Sequence, residues 1–185
     1  MGKQGVQKIN LEGTGMKKLI WVAAGVLLFT SSSFAQSAPR VDLSAGYSYL
    51  RGGGVNENGG SISLAGYFND WIGVVGDVGY YHGSPAGASI NTETYMFGPR
   101  ISTGRNGKIA PFAQVLFGAA HVAAGFGGFT ASGNAFAYSV GGGIDYGILP
   151  HVALRPQIDY IGMRSGGVTL NNGRFSVSIV FRLGK

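Results

Sequence analysis

The chain has 185 residues, 34 of them glycine, with 12% charged residues and no cysteine. That length suits one domain, and the missing thiols exclude disulfides, a lipid-modified N-terminal cysteine, thiolate metal sites and cysteine nucleophiles. The formal charge of +6 falls to +3 once residues 1–35, which hold Lys3, Lys8, Lys17, Lys18 and Glu12, are set aside, so the clustered basic face that a nucleic-acid partner requires is not expected.

In chain order, residues 1–15 are polar and patternless and read as an unstructured upstream extension, with Met16 an alternative translation start. Met16-Lys17-Lys18, the apolar run Leu19 to Phe29 and the small residues ending at Ala35 have the three parts of a secretory signal. The spacing predicts a cleaved signal peptide over 16–35 with cleavage after Ala35. Its apolar core of 11 residues falls short of the roughly 20 needed for a spanning helix. The mature domain is then 36–185. It shows no helical periodicity of useful length and no 20- to 50-residue repeat.

From Val41 onward, apolar and polar residues alternate in blocks of about ten, the length of a tilted membrane strand. Eight blocks are predicted: Val41 to Leu50, Ser61 to Phe68, Ile72 to His82, Thr92 to Thr103, Ile109 to Val122, Ala135 to Tyr146, His151 to Met163 and Gly173 to Leu183. Pro99 and Pro156 fall within blocks whose alternation continues, so a bulge or a missing ladder bond is expected at each. Asn69-Asp70, Gly104 to Lys108 and Gly147 to Pro150 read as tight turns. Arg51 to Gly60, Gly83 to Asn91, Ala123 to Asn134 and Arg164 to Asn172 read as longer Gly/Ser/Asn-rich loops. Tight turns at one end and longer loops at the other, with an even strand count, is the layout of an eight-stranded antiparallel up-and-down transmembrane β-barrel with both termini on the periplasmic side. With only Gly184 and Lys185 beyond the last block, no further periplasmic domain is expected.

Parity tests this fold, because a barrel in lipid must turn each strand's polar face inward. In register, Asp42, Asp77, Arg100, Gln114, Asp145, Arg155, Gln157, Asp159, Arg174 and Arg182 all face inward, while Leu43, Val74, Val78, Phe97, Ile101, Val115, Phe117, Val140, Ile144, Leu154, Ile158 and Ile179 face out. One arginine on the lipid face at the bilayer midplane would cost about 2–4 kcal/mol, against a total stability of about 5–15 kcal/mol. The inward acids Asp42, Asp77, Asp145 and Asp159 match the bases Arg100, Arg155, Arg174 and Arg182 in number. A packed ion-pair network filling the lumen is the expected role, since eight strands leave room only for side chains. Aromatics sort by height: Tyr47, Tyr49, Tyr80, Tyr95, Tyr138, Tyr160 and Phe175 lie near one end of their strands, and Phe68, Trp71, Tyr146 and Phe181 near the other. Two belts at the two interfaces are what amphipathic rings form.

On Phe97-Gly98-Pro99-Arg100, Pro111-Phe112-Ala113-Gln114, Gly141-Gly142-Gly143-Ile144-Asp145 and Arg155-Pro156-Gln157-Ile158-Asp159-Tyr160, residues 41–183 resemble the small eight-stranded outer-membrane barrels of the OmpA membrane domain and OmpX type. The last strand also resembles the signal read by the barrel-assembly machinery through Ser176, Ser178, Phe181 and Leu183, although Ser178 stands where glycine is usual and the chain ends on Gly184-Lys185. The resemblance implies a bacterial outer-membrane location, outer-membrane lipid, lipopolysaccharide and the assembly machinery as partners, and a structural or surface-interaction role without catalysis. Loops 51–60 and 123–134 would carry any surface ligand, their Gly, Asn and Phe content implying mobility.

Two other functions follow from particular residues. Inward Gly46, Gly73, Gly79, Gly98, Gly118, Gly141 and Gly143 would leave lumen unfilled, as a narrow pore or a carrier of small apolar molecules requires. His82, Ser84 and Glu93 share the outer face beside one loop, and a serine next to a histidine oriented by a carboxylate is the logic of an activated nucleophile; similar pairs occur in outer-membrane lipid A deacylases. Gly83 and Pro85 make the pair loop-like, and nothing marks an oxyanion hole. Gly141-Gly142-Gly143 lacks the Lys-Ser or Lys-Thr of a phosphate loop. No cofactor is expected, and His121 and His151 are too far apart in sequence, and from any carboxylate cluster, to argue for a metal.

Overall fold

The computed structural model describes residues 40–103 and 107–184; the extension, the signal segment and part of the Gly104 to Lys108 turn lie outside the described residues. Eight antiparallel strands close into a barrel in sequence order: β1 (Arg40–Gly52), β2 (Val55–Tyr67), β3 (Ile72–Gly83), β4 (Ser89–Ser102), β5 (Ile109–Phe126), β6 (Phe129–Leu149), β7 (Val152–Ser165) and β8 (Val168–Leu183). Closure runs along the β1–β8 ladder from Val41↔Leu183 to Gly52↔Asn172, which leaves no open sheet edge over that length.

Each strand sits where alternation lets one face meet lipid and the other fill the lumen. On β3 the exposure alternates residue by residue from Ile72 to Gly83. Outward Leu43, Val74, Val78, Phe97, Ile101, Phe117, Val140, Ile144, Ile158 and Ile179 are exposed, while Asp42, Asp77, Arg100, Asp145, Arg155, Asp159 and Arg174 are buried within the barrel. The two prolines act as gaps in the ladder. Between β4 and β5 the pairing passes from Phe97↔Phe117 to Arg100↔Gln114 without a change of register, skipping Pro99, and between β6 and β7 it passes from Gly143↔Gln157 to Tyr146↔Leu154, skipping Pro156.

The long loops expected at one end are largely strand. Arg51 to Gly60, Ala123 to Asn134 and Arg164 to Asn172 each contract to a two-residue turn, Gly53-Gly54, Gly127-Gly128 and Gly166-Gly167, with both glycines at positive φ. Paired left-handed residues are what a tight hairpin needs to match strand twist, and glycine adopts them without penalty. The fourth connection is a short 3-10 turn at Pro85–Gly87. The flanking polar residues pair across these hairpins, so their composition marks strands extended beyond the membrane, not mobile loops. The extension is greatest on β5 and β6, of 18 and 21 residues. At the opposite end, Asn69 Oδ1 accepts the N–H groups of Trp71 and Ile72 at 2.8 and 2.7 Å, and Arg40 pairs with Asp70. The barrel thus has a hairpin end, capped by the Gly-Gly turns, and a terminal end, where Arg40 and Leu183 lie.

Candidate functional site

Inward parity brings the charged residues into two linked clusters across the lumen. In the first, Arg174 on β8 donates from Nη1 to Asp77 Oδ1 on β3 at 2.6 Å and from Nε to Asp159 Oδ2 on β7 at 2.9 Å, with Tyr81 Oη accepting at 3.2 Å. Asp159 also accepts from Gln157 Nε2 at 2.8 and 3.0 Å and from Gln114 Nε2 at 3.3 Å. Gln114 in turn takes two bonds from Arg100, at 2.6 and 3.0 Å. In the second cluster, nearer the terminal end, Arg155 holds Asp145 through both carboxylate oxygens at 2.5 and 2.8 Å. It approaches Asp42 at 3.8 Å and Ser44 Oγ at 3.5 Å, and Arg182 lies 3.7 Å from Asp145. The Phe112 ring joins the clusters, with Arg100 4.5 Å and Arg155 4.7 Å from its centroid, a geometry in which ring quadrupoles attract guanidinium.

The equal numbers of acids and bases do not become one-to-one pairs. Arg174 and Arg155 each serve two acids, Arg182 is a second neighbour of Asp145, and Arg100 is held by the Gln114 amide, by Tyr67 and by Phe112. Tyr81, Tyr67 and Phe112 are the members that charge counting misses; their inward parity is the signal that finds them. Toward the hairpin end the lumen turns largely apolar, with Leu50, Met96, Leu116, Ala137, Ile161 and Met163 in one buried cluster, but Glu57 on β2, paired with Leu50, is a fifth buried inward acid at this level; it falls in the stretch that the sequence reads as a loop, so charge counting misses it.

The inward glycines do not leave space. A Cβ at Gly79 would meet the Tyr81 ring and Thr94, one at Gly73 the Tyr67 ring, and ones at Gly46, Gly98 and Gly118 the facing strands' carbonyl oxygens. Rings and close strand approach occupy the room that a glycine-lined pore needs.

On the outer face, each of the four hairpins carries an aromatic or imidazole bonded to an asparagine of the partner strand. Tyr47 and Tyr49 donate to Asn58 and Asn56 at 2.5 and 2.8 Å, Tyr80 to Asn91 at 3.1 Å and Tyr160 to Asn171 at 2.7 Å, while His121 Nδ1 lies 2.7 Å from Asn134 Oδ1. Such rings fix the aromatic belt at headgroup height. Phe68, Trp71, Tyr146 and Phe181 are exposed toward the terminal end.

His82 and Ser84 do meet, at 3.2 Å between Nε2 and Oγ. Glu93 does not orient the imidazole: it accepts from Tyr95 at 2.8 Å, and His82 Nδ1 faces Asn91 Oδ1 at 2.7 Å. The register explains this, since His82 pairs with Asn91 and Glu93 with Tyr80, two residues further down the strand.

A closed barrel with an apolar outer wall, aromatic belts and a charged interior defines a transmembrane β-barrel protein. The family described as outer membrane protein beta-barrel domain matches residues 21–182, and the chain belongs to that family, whose place is the bacterial outer membrane. No curated protein matches the sequence. Among solved structures the fold is similar to that of Neisserial surface protein A (14% identity, 78% of this chain and 97% of that one, TM-score 0.64). It is also similar to Ail, the attachment invasion locus protein of Yersinia pestis (18% identity, 78% and 99%, TM-score 0.57), and to the N-terminal β-barrel domain of Pseudomonas aeruginosa OprF (18% identity, 79% and 100%, TM-score 0.52).

Proposed function

We propose that the protein is a plugged, non-conducting outer-membrane barrel whose role is played by the strand extensions it raises outside the cell. The observation that carries this reading is the cross-lumen link from Asp77 through Arg174 to Asp159, with the arginine side chain fully buried. Around it, Asp42, Arg100, Asp145, Arg155 and Arg182 hold opposite walls together as a structural brace. The largely apolar layer above, which also holds Glu57, and the ion-pair layer below both stand in the way of an ion crossing the lumen. In planar bilayers the refolded mature chain gives no steady conductance; a reproducible open level overturns the plugged lumen.

The surface role is supported by the same asymmetry. Residues 51–60 and 123–134 stand at the hairpin end as ordered strands tipped by Gly-Gly turns, with Phe126 and Phe129 exposed at the tip of the longest hairpin. Ail, of the same fold, has been solved with the heparin analogue sucrose octasulfate. Cells displaying the barrel with 123–134 replaced by Gly-Gly should lose attachment to a host-type surface while keeping the folded barrel; unchanged attachment refutes the assignment of recognition to that hairpin. Export by cleavage after Ala35, contact with lipopolysaccharide and recognition of β8 by the barrel-assembly machinery complete the reading.

A hydrolytic alternative is favoured by one observation, the 3.2 Å contact between Ser84 and His82. Against it, an amide in the orienting position cannot stabilise an imidazolium as a carboxylate does. Unchanged lipid A acylation in a Ser84→Ala host, read by mass spectrometry, eliminates it.

A further inference from the structure

The hairpin end of the lumen holds a cavity of about 230 Å³ lined by Val122 on β5, Gly133, Asn134 and Ala135 on β6, Met163 and Ser165 on β7, and Val168 and Leu170 on β8. Four consecutive strands contribute to it, so it is a cup inside the barrel mouth and not a groove on the lipid face. At its base Met163 belongs to the buried apolar cluster with Ile161 and Leu116, against which Val122 and Ala135 pack, and the two charged clusters lie lower still. Its rim is open, with Val168 and Leu170 63% and 53% exposed although both point inward. On one side the β6–β7 ladder stops at Phe136↔Arg164, and the next link between those strands is the bond from Ser165 Oγ to the Asn134 carbonyl oxygen at 3.2 Å. The lining hydroxyl is therefore already engaged, and no lining side chain is ionisable.

We infer that this cup is a binding site for a small, neutral, apolar molecule of about one aromatic ring, taken up from outside the cell and not passed through the barrel. Size and chemistry select the class. An apolar cavity of about 150 Å³ holds benzene, so a one-ring compound with a short substituent fits here and a steroid or an acyl chain does not. With no charge in the wall, an ionised group would lose hydration without an opposite charge to compensate it, which costs several kcal/mol. The site goes beyond the surface role proposed above and does not depend on it.

The test uses the mature barrel in lipid nanodiscs, with fluorobenzene as probe and methionine methyl groups as reporters. The mature chain has two methionines, Met96 and Met163; Met163 lines the cup and Met96 does not. Fluorobenzene should shift the Met163 methyl resonance saturably while leaving Met96 in place. The 19F signal should show saturable binding above partitioning into empty nanodiscs. Leu170→Trp, at an exposed position that does not test folding, should weaken binding at least tenfold, and 4-fluorobenzoate, the same ring with a charge, should bind at least tenfold more weakly. Uptake equal to that of empty nanodiscs, a Met163 signal that moves only linearly with concentration, or equal binding of fluorobenzoate overturns the proposal. A heat-modifiability gel establishes that Leu170→Trp is folded; should it not be, the Met163 shift in the unmodified protein decides alone.

Discussion

Arg174→Met is the sharpest perturbation of the lumen, because one guanidinium there answers two carboxylates from opposite walls. The variant removes charge-assisted bonds of 2.6 and 2.9 Å and the 3.2 Å contact with Tyr81. Asp159 keeps its amide donors from Gln157 and Gln114, whereas Asp77 loses the only side-chain donor described for it. Each charge-assisted bond contributes about 1.5–3 kcal/mol, and a buried pair broken by removal of one member costs about 3–5 kcal/mol. A loss of about 3–5 kcal/mol is therefore expected, a large part of a stability of about 5–15 kcal/mol. Asp77→Asn alone should cost less, about 1–2 kcal/mol, since Arg174 retains Asp159 and an amide oxygen can still accept. The triple variant Arg174→Met, Asp77→Asn, Asp159→Asn removes the stranded charges and should recover most of the loss. Urea unfolding of residues 36–185 in phospholipid vesicles reads this through Trp71, the one tryptophan of that segment, which is exposed at the β2–β3 turn. A cost below about 1 kcal/mol for Arg174→Met, or a triple variant no more stable than the single one, would refute the brace.

The same unfolding assay checks the remaining predictions. At Gly118 a Cβ would press on the Tyr95 carbonyl oxygen and the Met96 Cα of the facing strand, so Gly118→Ala should prevent β4 and β5 from closing and abolish heat-modifiable folding. Gly66 and Gly76 face outward with nothing near a built Cβ, and alanine at either should be neutral or stabilising by about 0.5–1 kcal/mol. Gly128, at φ +88°, should cost about 1–2 kcal/mol when replaced by alanine, the penalty of a left-handed side-chain residue, with the lumen network unaffected.

The barrel itself was legible because two physical constraints act on every strand together: the period-two pleat and the exclusion of charge from lipid. They place Asp42, Asp77 and Arg174 inward without any knowledge of contacts. Parity gives the face of a side chain but not its height or its position around the barrel, which depend on the stagger of all eight strands. That is why Arg174 is seen to reach Asp77 across β1 and β2 only once the ladders are closed, and why equal counts of acids and bases do not disclose that Arg100 is held by the Gln114 amide, Tyr67 and the Phe112 ring. Glu93 fails as an orienting group for the same reason, since its register sets it opposite Tyr80 and leaves Asn91 opposite His82.

Composition misled most where glycine was concentrated. Read one residue at a time, glycine marks a loop or an empty lumen; in the closed barrel it marks a place where a larger neighbour needs the room. Tyr81 lies over Gly79 and Tyr67 over Gly73 inside, and Tyr138 lies over Gly162 on the outer wall. An eight-stranded barrel leaves an interior just wide enough for side chains to fill, so inside it a glycine beneath Tyr81 and Tyr67 makes room for the ring. Strand glycine and buried aromatic are thus two halves of one packing unit. The glycines that would have argued for a channel are the ones that let the plug fit, and Gly79→Ala should therefore displace Tyr81 from Arg174 and reproduce part of the loss caused by Arg174→Met. A Gly79→Ala barrel as stable as the parent would show that the ring has room to spare, and would reopen the case for an unfilled lumen.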